Sequence, residues 1–249
     1  MKIKFLIILI IGLFILACET TTGPNEIGGD TDLTLTKVGN EFGLSIKFNG
    51  VNSPALSNIK DSVFITKSEN GIITIKGRVF SDIDALNAID TLLGTQGLPD
   101  NTKHQIVDAY LNSYGITIDT SNHENMNLTF EVKLKVTSEG IQDFHYSKGD
   151  LNKPFTIVKY GSNVGDKYEF ATSEGKKIVR EVIQKNPVED WELAFWSVKT
   201  VRVEQKIEDD PILEKVTFIT NHKFGLVGLI HKFKDGKIIE TTILPWAML

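Results

Sequence analysis

The 249-residue chain has one cysteine, Cys18. No internal disulfide can form, and no cysteine–histidine pair can do nucleophilic work downstream of it. Stability has to come from a buried core. The five histidines, His104, His123, His145, His222 and His231, are scattered. None lies three or four residues from another, the spacing with which one helix holds zinc. No Gly-x-Ser-x-Gly elbow, His-Glu-x-x-His pair, phosphate-binding glycine loop or calcium-loop spacing is present. No segment reaches eighteen consecutive apolar residues, so none has the length of a transmembrane helix. Basic charge is also short: the formal net charge is −5, which argues against nucleic acid and against electrostatic attachment to anionic lipid. These absences leave no cofactor and no metal to expect.

What is present begins at the N-terminus. Lys2 and Lys4 precede a short apolar run, Phe5 to Ala17, and Cys18 follows at once. As a helix that run spans about 20 Å, short of the ~30 Å hydrocarbon core, so it reads as a secretory signal. Ile15, Leu16, Ala17 and Cys18 resemble the lipobox of bacterial lipoproteins. The resemblance covers residues 1–18 only. It implies that 1–17 is a signal peptide and that Cys18 takes a diacylglycerol, with palmitate-type chains, and becomes the new N-terminus. Two or more acyl chains anchor stably where one is marginal. Glu19 is not the aspartate that resembles an inner-membrane retention signal, which favours an outer-membrane or cell-surface destination in a Gram-negative envelope. The implied membrane contact is made through the N-terminal lipid.

Residues 18–31 are rich in Thr, Gly, Pro and acidic side chains, with Ile27 the one apolar side chain after the cysteine. The composition predicts a flexible tether. Residues 32–149 read as an α+β unit. Leu44, Ile46 and Phe48 alternate with polar residues, and Asn70-Gly71 is a type I′ hairpin signal between strands at 62–68 and 72–80. Ile83, Leu86, Ile89, Leu92 and Leu93 predict a helix after Ser81; Ile106, Val107, Tyr110, Leu111 and Tyr114 predict a second, starting near Asn101. Leu128, Phe130, Val132, Leu134 and Val136 alternate with Thr129, Glu131, Lys133, Lys135 and Thr137, which predicts a half-buried strand. The expected fold is therefore an antiparallel sheet with a two-helix layer, followed by a β-rich unit over 150–249. That unit shows strands near 155–160, 167–171, 192–205, 214–221, 224–234 and 237–244. Residues 176–185 fit a short helix or a strand and lean to strand.

Candidate functional residues are few. Asp108, Asp143, Glu189, Asp190, Glu208, Asp209 and Asp210 are carboxylates able to do acid–base work if the fold brings two together, although the last five fit solvated turns. Trp191, Phe195 and Trp196 crowd six residues. In one unbroken strand Trp191 would share a buried face with Leu193 and Phe195, leaving Trp196 partly exposed and the candidate for ligand contact. The expected function is a non-catalytic binding or interaction module of the cell envelope, with a protein, peptide or carbohydrate partner. The alternatives are an envelope hydrolase whose carboxylates meet only in the fold, and a structural envelope protein.

Overall fold

The computed structural model describes residues 26–52, 61–81, 97–99, 115–119, 126–208, 210 and 212–246, together with 102, 105, 106, 109 and 112. The strands are β1 (Glu41–Phe48), β2 (Val51–Asn52), β3 (Asp61–Glu69), β4 (Ile72–Ser81), β5 (Ile116–Asp119), β6 (Met126–Thr137), β7 (Gly140–Asp143) and β8 (Phe155–Lys159), then β9 (Lys167–Ala171), β10 (Lys177–Lys185), β11 (Trp191–Leu193), β12 (Trp196–Val198), β13 (Val201–Lys206), β14 (Leu213–Asn221), β15 (Gly225–Phe233) and β16 (Ile238–Pro245). All pairings are antiparallel.

Twelve strands form one path in the order β8-β7-β6-β4-β3-β1-β16-β15-β14-β13-β10-β9, with β2 on β1 and β5 on β6. The first and last long strands pair, Phe42 opposite Pro245 and Phe48 opposite Ile239. The sheet thus curls into a nearly closed barrel whose gap falls between β8 and β9, which are consecutive in the chain. Strands from both sides of residue 150 share this sheet.

The expected α+β class is overturned. The helix expected after Ser81 lies outside the described residues. In the second segment Thr102, Gln105, Ile106, Ala109 and Asn112 have helical backbone, but Ile106, from the stripe expected to cover a sheet, is exposed. The physical reason is that a strongly curled sheet covers its own apolar face with the opposite wall and has no need of a helix layer. Residues 177–185 are strand.

Alternation along each strand sets inside from outside. On β6, Phe130, Val132, Leu134 and Val136 face inward with Ile73 and Ile75 of β4. Outside, Lys76 pairs with Glu131, Lys167 with Glu181, Lys177 with Glu169, and Lys215 with Glu204. A lipid-facing barrel shows the reverse pattern, apolar outward and polar inward. Phe42, Phe130, Phe155, Phe170, Phe218 and Phe224 occupy much of the wide interior. Gly77 makes room for one of them: a Cβ there would lie 2.1 Å from the Phe130 ring.

The gap is closed by side chains. Lys185 Nζ donates to the carbonyls of Tyr160 and Ser162, at 3.0 and 2.9 Å. Tyr168 Oη accepts from Lys159 N at 3.0 Å and donates to Ser162 Oγ at 2.8 Å. Backbone groups at the end of β8 and in the turn after it are thereby satisfied by side chains.

One rim of the barrel is built from the turns at 70–71, 138–139, 160–166 and 222–224. Residues 26–40 run along it. Ser138 N donates to Asp30 O, Asp30 N donates to Ser138 Oγ, and Gly39 N donates to Ile65 O, each at 2.9 Å. Ile27, placed by its polar neighbours in the expected tether, is buried.

Candidate functional site

Inside the barrel lies a chamber of about 370 Å³. Side chains from both walls line it: Leu44, Ile75, Phe130 and Val132 on one side, Phe218, Leu229 and Ile243 on the other. Val132 points inward yet stays 37% exposed, because the surface it offers borders this space rather than packed atoms. Leu35, carried by a single 3-10 turn (Thr34–Thr36), covers the chamber at the rim described above, its Cδ2 against Gly225.

Polar groups gather on the wall near the gap. Arg180 is 2% exposed. It holds Asp143 Oδ2 at 2.7 Å through Nη1, donates from Nε to Gln205 Oε1 at 2.8 Å, and donates from Nη1 to the carbonyls of Phe155 and Thr156 at 3.3 and 3.2 Å. Its guanidinium carbon stands 3.9 Å from the Phe155 ring centre and 4.7 Å from that of Phe218. Gln205 Nε2 donates to Tyr146 Oη. The guanidinium therefore ties β7, β8, β10 and β13 together at the gap, where no ladder does so. A planar cation with several donors and two flat faces is suited to this task; lysine is not.

Burial lowers the His145 pKa, against a pull upward from Asp143 and with a further push down from Arg180. The phenol of Tyr146 is raised, chiefly by burial. Across the chamber His231 is pushed down to about 4 by desolvation. It is neutral at pH 7, flanked by Val216 on β14 and Ile239 on β16. A second hollow, of about 670 Å³ and lined with lysines and acids, shares His145, Tyr146 and Ile207 with the chamber. These three residues stand between an apolar interior and a charged exterior.

No family model matches the chain, and no curated protein or solved structure matches it.

Of the carboxylates named from sequence, Asp108 and Asp209 lie outside the described residues. Asp143 meets Arg180. Asp190 accepts from Thr200 Oγ1 at 2.9 Å and Arg202 Nη2 at 3.0 Å. Asp210 Oδ1 accepts from the backbone of Ile212 and Leu213 at 2.7 Å. These three meet a cation or a backbone N–H; Glu189 is exposed, and Glu208 is exposed beside Asp210 on the charged hollow. Among the described residues no three His, Cys, Asp or Glu side chains converge as metal ligands. Cys18 lies outside the described residues.

The aromatic segment differs from expectation. The single strand expected over 192–205 is instead a tight hairpin, β11 and β12, which pairs Leu193 with Trp196 and Trp191 with Val198, followed by β13 from Val201. Ala194 turns the chain with a positive φ of 59°. The hairpin lies across the outside of β14, β15 and β16, where Leu193 and Val198 bury Ile219 and Val227. Trp191 Nε1 donates to Val227 O at 3.2 Å, and its ring sits so close over Gly228 that a Cβ there would lie 2.6 Å from it. Phe195, expected on a buried face, is 96% exposed at the turn. Trp196 is 38% exposed and lies outside the chamber, its ring centre 6.5 Å from that of Phe224, which lines it.

Sequence reasoning passed over Arg180, Gln205 and His231. The signal was there. Each breaks an apolar row: Arg180 between Ile178 and Val182, Gln205 after Val201 and Val203, His231 after Leu229. A polar residue on an inward-facing row is buried and partnered, or borders a cavity.

Proposed function

We propose that the chain is a lipid-anchored binding protein of the cell envelope that holds an apolar or amphiphilic ligand, such as one acyl chain, inside the barrel. The observation that carries this reading is the chamber, which is apolar on nearly every side and has polar groups collected at one place. Pockets of a few hundred Å³ with mostly apolar walls and a few convergent polar groups are the usual form of a small-molecule site. Small side chains such as Val132 leave the space unfilled, although a packed core would gain by filling it. A ligand tail would lie among Leu44, Phe130, Val132 and Leu229, with its polar end toward His145 and Tyr146. Arg180 is already neutralised by Asp143, so the site does not demand an anionic head.

The test is binding of a fluorescent fatty acid by the purified protein, with native mass spectrometry to identify lipid carried from the cell. One ligand per chain is expected. Val132→Trp should fill the chamber and weaken binding at least about tenfold, near 1.4 kcal/mol. Phe64→Trp, on the exposed outer face of β3, should bind as the unchanged protein does. Equal binding by both variants would overturn the reading. The anchor is tested separately: labelled palmitate should enter the protein with Cys18 and not Cys18→Ser.

A further inference from the structure

Exposed apolar side chains occur on several faces, Phe64, Leu151 and Ile183 among them, but one group gathers at a single end of the barrel. Val38 precedes β1, Val164 lies in the turn from β8 to β9, Val188 follows β10, and Trp246 follows β16, its ring resting on the outer face of β1 over Gly43 and still 52% exposed. The strand registers put all four at the rim along which residues 26–40 run. Trp196 reaches the same rim beside Phe224, and Phe195 precedes it at the hairpin turn. Single exposed apolar residues are ordinary on a protein surface; several on one rim, two of them tryptophan, indicate a contact surface.

We propose that this rim rests on a lipid bilayer, with Phe195, Trp196 and Trp246 entering its interfacial layer. The orientation rests on the lipid-anchor reading of Cys18. Two observations support a bilayer over a protein partner. The first is reach. The chain from Cys18 to Glu26 spans at most about 29 Å when fully extended. A nine-residue strand is about as long, at ~3.3 Å per residue. Residues 26–31 are fastened to the turn at 138–139, so an anchor at Cys18 draws this rim, and not the opposite one, to the membrane. The second is chemistry. Tryptophan, phenylalanine and valine among lysines such as Lys199 and Lys223 are what the membrane–water interface takes up. Lys37, Lys199 and Lys223 are offset by Asp32, Glu139 and Asp166, so contact depends on apolar insertion and is insensitive to salt.

The test uses the acylated chain in vesicles of phosphatidylcholine with brominated acyl chains. Bromine quenches tryptophan only within the bilayer. The unchanged protein should lose about half its emission, because rings at an interface lie within reach of the acyl region. The Trp196→Phe/Trp246→Phe variant, which keeps only Trp191 over Gly228, should lose almost none. Equal loss in the two proteins, with palmitate label present on Cys18, would overturn the inference while leaving the anchor intact. Absence of label would overturn the anchor; the same selective quenching by added vesicles would then still support the rim. Shielding of Trp196 and Trp246 from iodide without vesicles would show that a second copy of the chain covers the rim, which would also overturn the inference.

Discussion

The two walls of the barrel are built differently. The first, from β1 to β8, is apolar on its inner face and charged outside, as the Lys76–Glu131 pair on β4 and β6 shows. The second, from β9 to β16, is apolar on both faces over β14 and β15. Phe218 and Leu229 face the chamber, while Ile219 and Val227 lie beneath the β11–β12 hairpin. One glycine on each wall marks the difference. Gly77 admits the Phe130 ring to the interior, and Gly228 admits Trp191 from the exterior; Gly43, on β1 where the first wall meets the second, admits Trp246 in the same way. A one-faced wall needs only an opposite wall to be stable. A two-faced wall needs a second layer, which the chain supplies from the 191–198 excursion.

The pair that joins the walls should give the largest effect. Asp143 belongs to the first wall and Arg180 to the second. Asp143→Leu leaves a buried guanidinium without its counter-charge and should cost about 3–5 kcal/mol, read by urea denaturation. Adding Arg180→Met should recover most of that loss. If the double variant is no more stable than the single, the joint does not act through charge.

Next comes the outer layer of the second wall. Leu193→Ala removes a fully buried side chain and should cost about 2–5 kcal/mol. Hydrogen exchange should quicken in β14–β16 and stay unchanged in β3 and β4. Uniform quickening would mean that the two walls open as one unit.

Acid should act on the second wall through His231. Its folded pKa, about 4, lies below the unfolded value of 6.5. The neutral form is favoured in the folded state, so stability is full above pH 6.5, falls as pH drops toward 4, and is level in this respect below that. The total loss is roughly 3 kcal/mol. His231→Phe should flatten the pH profile between 6.5 and 4; an unchanged slope there would assign the effect to another group, His145 being the next shifted in the same direction.

The smallest effect belongs to the exposed side of the first wall. Lys76→Met should change stability by less than about 1 kcal/mol, since the Lys76–Glu131 pair is open to solvent. A larger loss would show that this outer face is covered after all.

Strands were legible wherever one face is wet. Residues 72–80 and 128–137 alternate, and the structure places β4 and β6 there. The hairpin turn at Asn70-Gly71 is in place, with Asn70 and Gly71 at positive φ. The tight turn at Ala194 and Phe195 was not legible, because neither residue favours left-handed backbone. It is held by Leu193 and Val198 packing on a wall contributed by residues 20 to 50 positions later.

The sequence alone determined the period-two strands at 72–80 and 128–137, their inward and outward faces and the hairpin at Asn70-Gly71, because these depend on side chains a few residues apart. It also supplied a chain with no cysteine to spare for cross-links after Cys18. Only the tertiary structure decided that the sheet closes on itself, that Phe42 meets Pro245 across some 200 residues, and that an arginine fills the gap where the ladder stops. Curvature and closure arise from the summed twist of many strands and from contacts between distant segments. No local window of residues contains that information, and the chamber exists only once closure has happened.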